Sequence, residues 1–283
     1  MKVVVLAGGL STERDVSLTS GTMICNALRK LGHKAILVDL FLGLELEGNT
    51  EEVFNVEGFL PPRPVSTEAP DIEKVKASRP DSGFGEIGKN VLDVCRAADI
   101  VFMALHGEIG ENGKMQAIFD VMGIKYTGAG YLGSAIAMQK GMAKQVFEYN
   151  GVPCPVGKMY NKKNRADIAN DFKLPVIVKP CSGGSSIGIT RADTKEELEA
   201  AVSEAFKYED EVLVEQFITG IELTCGVLDG IALPVAQIIP NEGFYDYEHK
   251  YQAGMIEEII PAKISDELTK KVQEESVRAF NAL

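Results

Sequence analysis

Apolar residues in this chain fall into short β-branched runs separated by longer stretches with a helical period, and that alternation sets the expected order of elements. Residues 3–6 read as a strand entering Ala7-Gly8-Gly9. In residues 16–31, Ile24, Ala27, Leu28 and Leu31 supply one apolar helical face, closed by Gly32 and His33. Residues 35–40 form the next strand. A strand, glycine turn, helix and strand in this order predict a parallel doubly wound sheet with ligands at the carboxyl ends of its strands. Glu13 lies at that edge, where it can also serve as a capping carboxylate near a helix start.

Regularity fades over residues 42–88, broken by Pro61, Pro62, Pro64, Pro70 and Pro80, and predicts a solvated insertion with a helix around residues 71–77. The pattern resumes with a helix over 89–96 and a strand over 99–105 that delivers His106 into a glycine loop, a place suited to a ligand. A helix over 114–122 and a short strand over 124–127 follow. The GAGYLG run at 128–133 matches GxGxxG, but residues 134–149 read as helix throughout. A dinucleotide site would need a second strand ending in an acid about 20 residues on, so the run is read as an inter-domain hinge.

The second half restarts with a strand over 157–160 and a helix over 165–172. LPVIVKPCSGGSSIGIT (residues 174–190) then places Val176, Ile177 and Val178 in an unalternating run, the pattern of a strand covered on both faces, with Lys179 leaving the sheet at its end. Gly183, Gly184 and Gly188 let backbone N–H groups approach a ligand, and Ser182, Ser185 and Ser186 add hydroxyls, so the loop can wrap polyphosphate. The lysine precedes the glycines, which excludes the GxxxxGK[ST] arrangement. A helix over 194–208 with Thr194 as N-cap and strands over 211–217, 222–228 and 231–240 suggest an α+β domain. Residues 241–254 gather Phe244, Tyr245, Tyr247, His249, Lys250 and Tyr251, either as a lid that excludes water or as a loop packed by its own side chains. Residues 265–283 read as an amphipathic helix.

Composition narrows the partners. At 283 residues and 45% hydrophobic content the chain has room for about two domains with proper cores. A net charge of −12 disfavours nucleic acid and acidic membranes. No apolar run reaches membrane length and the start is too short for a signal peptide, so the expected place is the cytoplasm, with no membrane partner. Five cysteines without a CxxC pair read as buried thiols.

Six segments together resemble the D-alanine:D-alanine ligase family: GGLSTERDVS (8–17), ALHGEIGENGKMQ (104–116), YTGAG (126–130), VIVKPCSGGSSIG (176–188), VLVEQFITGIELT (212–224) and FYDYEHKYQ (244–252). The resemblance implies the ATP-grasp fold, of mixed α/β and α+β class: an N-terminal substrate domain over 1–127, a central domain over 128–214 and a C-terminal domain over 215–283. It implies ATP-dependent joining of two D-alanines through an acyl phosphate, with ATP and Mg2+ or Mn2+, for peptidoglycan precursor synthesis, by a homodimer.

By the same resemblance, Lys140, Lys179 and Lys250 contact phosphate, Gly184 and Ser186 belong to the loop around it, Glu215, Gln216 and Ile218 meet adenine, and Glu222 meets the ribose. Glu13, Ser185 and Tyr251 form the network that orients the first D-alanine, with His106 near that substrate. Gln216 stands where a lysine is common, and Gly183 where some members have an acid. The family's magnesium ligands are expected beyond Leu283, and the 283-residue chain as written is accordingly expected to be inactive. The alternatives are a D-alanine:D-serine ligase, another ATP-grasp carboxylate–amine ligase, or a non-catalytic nucleotide-binding fragment.

Overall fold

The computed structural model describes residues 1–46, 48–66, 70–79, 85–184, 188–240 and 256–283. It divides into two compact units, Met1–Ala135 and Ile136–Leu283.

The first unit is built on a three-stranded parallel sheet of order β2-β1-β3, with β1 (Lys2–Ala7), β2 (Lys34–Asp39) and β3 (Ile100–Met103). Successive side chains of β1 point to opposite faces. Val3, Val5 and Ala7 pack with Leu18 and Cys25 of α1 (Arg14–Lys30), while Val4 and Leu6 pack with Val91 and Val94 of α3 (Val91–Ala97) and Met115 and Phe119 of α5 (Lys114–Met122). The expected doubly wound arrangement is therefore present.

Three local expectations are corrected. The buried face of α1 runs through Val16, Leu18, Gly21 and Cys25, and Leu31 is 74% exposed. Small and polar residues cover the sheet here: a Cβ at Gly21 would lie 2.8 Å from that of Ala7, so close backbone approach replaces large side chains. The predicted strand at 124–127 is a single parallel bridge of Tyr126 to Val101. The proline-rich segment is only partly solvated. Phe54 is 1% exposed and Ile87 7%, both inside the core, and the Arg79 guanidinium sits 4.0 Å from the centre of the Phe41 ring. The helix predicted there, α2 (Ile72–Ala77), is capped by the Asp71 side chain.

The predicted continuous helix is two: α6 (Tyr131–Met138), which runs across the boundary between the units, and α7 (Lys140–Tyr149), which lies in the second. Gln139 is extended between them and its side chain accepts from Met142 N, acting as the N-cap of α7. A four-stranded antiparallel sheet follows, order β4-β7-β5-β6, from β4 (Gly157–Asn161), β5 (Val176–Pro180), β6 (Thr190–Ala192) and β7 (Glu211–Gln216), with the short α8 (Ile168–Asp171) between β4 and β5. Val176, Val178, Val212 and Val214 form one face and pack on Leu198, Ala201, Val202 and Ala205 of α9 (Lys195–Tyr208). Thr194 caps α9 as predicted, in a reciprocal capping box with Glu197.

Beyond β7, the strands predicted at 222–228 and 231–240 are each split. Pro234, which has no N–H to donate, lies between the two parts of the second. β8 (Glu222–Thr224), β11 (Ala236–Pro240) and β12 (Ile256–Ile259) form one antiparallel sheet, and β9 (Val227–Leu228) and β10 (Ile231–Ala232) a hairpin around Asp229-Gly230, both at positive φ. The final helix, α10 (Asp266–Ala282), is capped by Ser265. Its Arg278 donates from Nη2 to the Gly151 carbonyl at 2.5 Å, which ties α10 to the carboxyl end of α7.

Candidate functional sites

In the first unit, the loop after β1 and the loop after β3 meet at the carboxyl ends of their strands. Ser17 Oγ accepts from Gly8 N at 2.9 Å and donates to the Ala104 carbonyl at 2.6 Å; Ser11 Oγ accepts from Glu13 N at 3.1 Å and donates to the His106 carbonyl at 2.6 Å. Two serines thus stitch the loops together and bring Glu13 and His106, both predicted site residues, to one place. Glu13 is 9% exposed, and a Cβ at Gly107 would lie 2.9 Å from its Oε2, so the carboxylate rests against the turn at Gly107, whose φ is +68°. The short α4 (Glu108–Glu111) follows that turn.

Glu111 completes the cluster and was not among the predicted residues. Much of its surface is exposed, yet burial of its carboxyl, and then the Glu13 charge, raise its pKa against the opposing Gly107 N–H and His106. Beneath the loop, Arg14 donates to the Gly9 carbonyl at 2.6 Å and pairs with Asp39, which also accepts from Phe41 N and Leu42 N. Carboxylates gathered beside a histidine at strand ends suit a cationic group such as an ammonium.

The second site uses the sheet face opposite α9. Strand β5 alternates, with Val176 and Val178 buried and Ile177 and Lys179 partly exposed on the other side. That overturns the reading of a strand covered on both faces, with Lys179 leaving at its end; Lys179 lies within the ladder, paired in register with Leu213. Ile177 is opposite Glu215, which makes Lys179 and Glu215 diagonal neighbours on one face, their Nζ and Oε2 2.5 Å apart. Glu215 is in turn opposite Gly157, where a Cβ would lie 2.5 Å from Glu215 Cγ, so the missing side chain at 157 is the room Glu215 occupies.

Lys144, from α7, was also missed. It is 6% exposed, its Nζ lies 3.3 Å from Glu215 Oε1, and it donates to the Pro155 carbonyl. Its spacing from Glu148 and its place behind a helix break were the available signals, hidden when 134–149 was read as one helix. Lys140, four residues earlier, instead donates from Nζ to the carbonyls of Ser182 (3.1 Å) and Gly183 (2.7 Å), holding the glycine loop with Gly183 at φ +78°. Gly184 is exposed beside it. Gln216 ends β7, with its N–H donating to the Val156 carbonyl at 2.8 Å; Ile218 is 58% exposed; Glu222 is exposed in the separate β8 sheet. Ser185, Ser186, Lys250, Tyr251 and the aromatic loop at 241–254 lie outside the described residues.

Two family models match the chain: D-ala D-ala ligase N-terminus over residues 2–129 and D-ala D-ala ligase C-terminus over 139–283. The chain belongs to the D-alanine–D-alanine ligase family. A D-alanine–D-alanine ligase of Pediococcus pentosaceus is 43% identical over 286 residues, covering 100% of this chain and 82% of the relative, and one of Lacticaseibacillus casei is 44% identical over 268 residues, covering 94% and 75%. Among solved structures, a D-alanine–D-alanine ligase from Bacillus anthracis complexed with ATP superposes with a TM-score of 0.71 at 26% identity, over 100% of this chain and 78% of that one. A D-Ala:D-Ser ligase from Enterococcus faecalis gives 0.68 at 30% identity, over 99% and 82%. The expected ATP-grasp class is thus the fold of this family member. No helix among the described residues is long and apolar enough to cross a membrane.

Proposed function

We propose that this protein joins two D-alanines at the expense of ATP, in the cytoplasm and as a homodimer, for peptidoglycan precursor synthesis. Its membership of the ligase family supports the reaction. The observation that carries the nucleotide half is the pairing of Lys179 with Glu215 on a sheet face bordered by a glycine loop. An ammonium beside backbone N–H groups offsets phosphate charge, and a carboxylate can accept from an exocyclic amine of the base. Lys140 steadies the loop through its carbonyls. We assign the amino-acid role in the first unit to Glu13 and His106, the carboxylate serving to attract and orient the substrate ammonium.

Magnesium belongs to this proposal as the ion that accompanies ATP. Among the described residues no group of three or more His, Cys, Asp or Glu could hold a metal ion, so every role above runs through the lysines and carboxylates of the chain itself. The deciding experiment is ADP release by the protein given ATP, magnesium and D-alanine, with the dipeptide identified by mass. No ADP above the amino-acid-free control would sink the reading.

A second reading, in which D-serine is the second substrate, is favoured by the likeness to the D-Ala:D-Ser ligase. Competition between D-alanine and D-serine for the second position separates the two by product mass.

A further inference from the structure

Lys144 is a buried cation that the ligation chemistry proposed above does not use. Desolvating an ammonium costs several kcal/mol, and a hydrophobic side chain of similar volume often serves a fold as well or better. The lysine must therefore be judged by what its charge touches. Its Nζ contacts three acceptors: Glu215 Oε1 at 3.3 Å, the half-exposed Glu148 Oε1 at 3.3 Å, and the Pro155 carbonyl. Cys154, the remaining titratable neighbour, stays a neutral thiol because burial raises its pKa.

Glu215 is held from both sides. Oε1 faces Lys144 and Oε2 faces Lys179, while Gly157 leaves the space its stem fills. The last torsion of a glutamate is broad and has no sharp preference of its own. A carboxylate gripped at one oxygen can rotate; gripped at both, it has a fixed plane. Each oxygen still has a further lone-pair direction to offer, since a carboxylate has about four acceptor sites. Without Lys144, both oxygens would be free to turn onto Lys179.

We propose that Lys144 is a positioning residue that fixes the Glu215 carboxylate so that it discriminates a base carrying an exocyclic amine, adenine, from one carrying an oxygen at that place. The inference rests on the nucleotide reading of this sheet face. A donor amine completes the free acceptor direction, whereas a carbonyl oxygen would meet it with like charge and leave it unpaired.

The test is calorimetric titration of the protein with ADP and, separately, inosine diphosphate. Lys144→Met fills the site with an apolar chain; Lys144→Gln keeps one donor for the Pro155 carbonyl. Lys144→Arg keeps the charge. In the unsubstituted protein ADP should bind at least tenfold more tightly than inosine diphosphate. The Met and Gln variants should narrow that ratio to within about threefold, and the Arg variant should restore most of it. If ADP and inosine diphosphate weaken equally, or neither neutral variant unfolds cooperatively on heating, Lys144 is structural only and the inference fails. If the ratio is unchanged, it fails as well. Absence of ADP binding by the unsubstituted protein would overturn the nucleotide reading, and this inference with it.

Discussion

Lys179 and Glu215 are diagonal neighbours on adjacent antiparallel strands, and their charged ends meet at 2.5 Å on the sheet face turned away from α9. The two ends of this pair differ in what they leave behind. Lys179 has a side chain 22% exposed, whereas Glu215 and Lys144 are 9% and 6% exposed.

Removing Lys179 should therefore cost binding more than folding. Lys179→Met leaves Glu215 paired with Lys144, so the unfolding midpoint should shift little, while nucleotide affinity falls by about one to two orders of magnitude, the range for losing a hydrogen bond to a charged group. Glu215→Ala should do the reverse in stability. It leaves the buried Lys144 with only the half-exposed Glu148 and the Pro155 carbonyl, so the loss should approach the lower end of the roughly 3–5 kcal/mol that breaking a buried pair from one side costs. Urea denaturation and ADP titration of the two variants check both halves, and equal loss of stability would contradict the assignment.

Gly157→Ala tests the room made for Glu215. The added methyl would lie 2.5 Å from Glu215 Cγ and 2.8 Å from the Val214 carbonyl. The carbonyl belongs to the central strand and cannot swing aside, so strain of about 1–3 kcal/mol is expected. Because the displaced side chain is Glu215, nucleotide affinity should fall with stability. A variant as stable as the parent and binding ADP equally well would mean that Glu215 has space elsewhere.

The order of elements was legible because short β-branched runs and helical periods differ in wavelength, and β1, α1, β2, α5 and α9 follow from that alone. Register was not legible. Val176-Ile177-Val178 carries no alternation in residue type, yet Ile177 faces the site and its neighbours the core, since apolar character does not say which side of a two-faced sheet is covered. The helix break at Gln139 was hidden for a related reason: glutamine is a good helix former, and its capping role shows only when its side chain is seen accepting from Met142 N. Of the residues brought together in the two candidate sites, Lys179, Glu13 and His106 were legible from strand ends and glycine loops, and Glu215 only from the family resemblance. Lys144, Glu111 and the pair Arg14 and Asp39 were missed, because a charge that is buried against a distant carboxylate looks, in one dimension, like any solvated charge.

The five thiols should separate by exposure. Cys25, Cys95 and Cys181 are buried, and burial pushes Cys95 up to about 12 and Cys181, with help from Glu209 and Glu211, up to about 11. Thiolate is the reactive form, so these three should be silent to a disulfide reagent at pH 8 until the protein is unfolded. Cys154 and Cys225 are partly exposed and should react first. More than two rapid equivalents in the native protein would show that a buried position opens.

Glu111 gives a pH dependence whose sign follows from its surroundings. Its carboxyl is raised above the ordinary 4.5 by burial and then by Glu13. A carboxyl with a raised folded pKa holds its proton more tightly in the native state than in the unfolded one. Between the ordinary value and the folded value the native state binds more protons, so stability falls as pH rises through that window and stays lower above it. Glu111→Gln cannot ionise and should remove this loss. Urea midpoints measured from about pH 4 to 8 should therefore coincide for the two proteins at the acid end and separate as pH rises, the variant becoming the more stable. Glu13→Gln should shrink the same separation, because the second-largest cause of the shift has been removed while burial remains. A parent protein that gains stability relative to Glu111→Gln as pH rises would mean that Glu111 pairs with a cation in the folded state, and that the cluster around His106 does not repel a carboxylate.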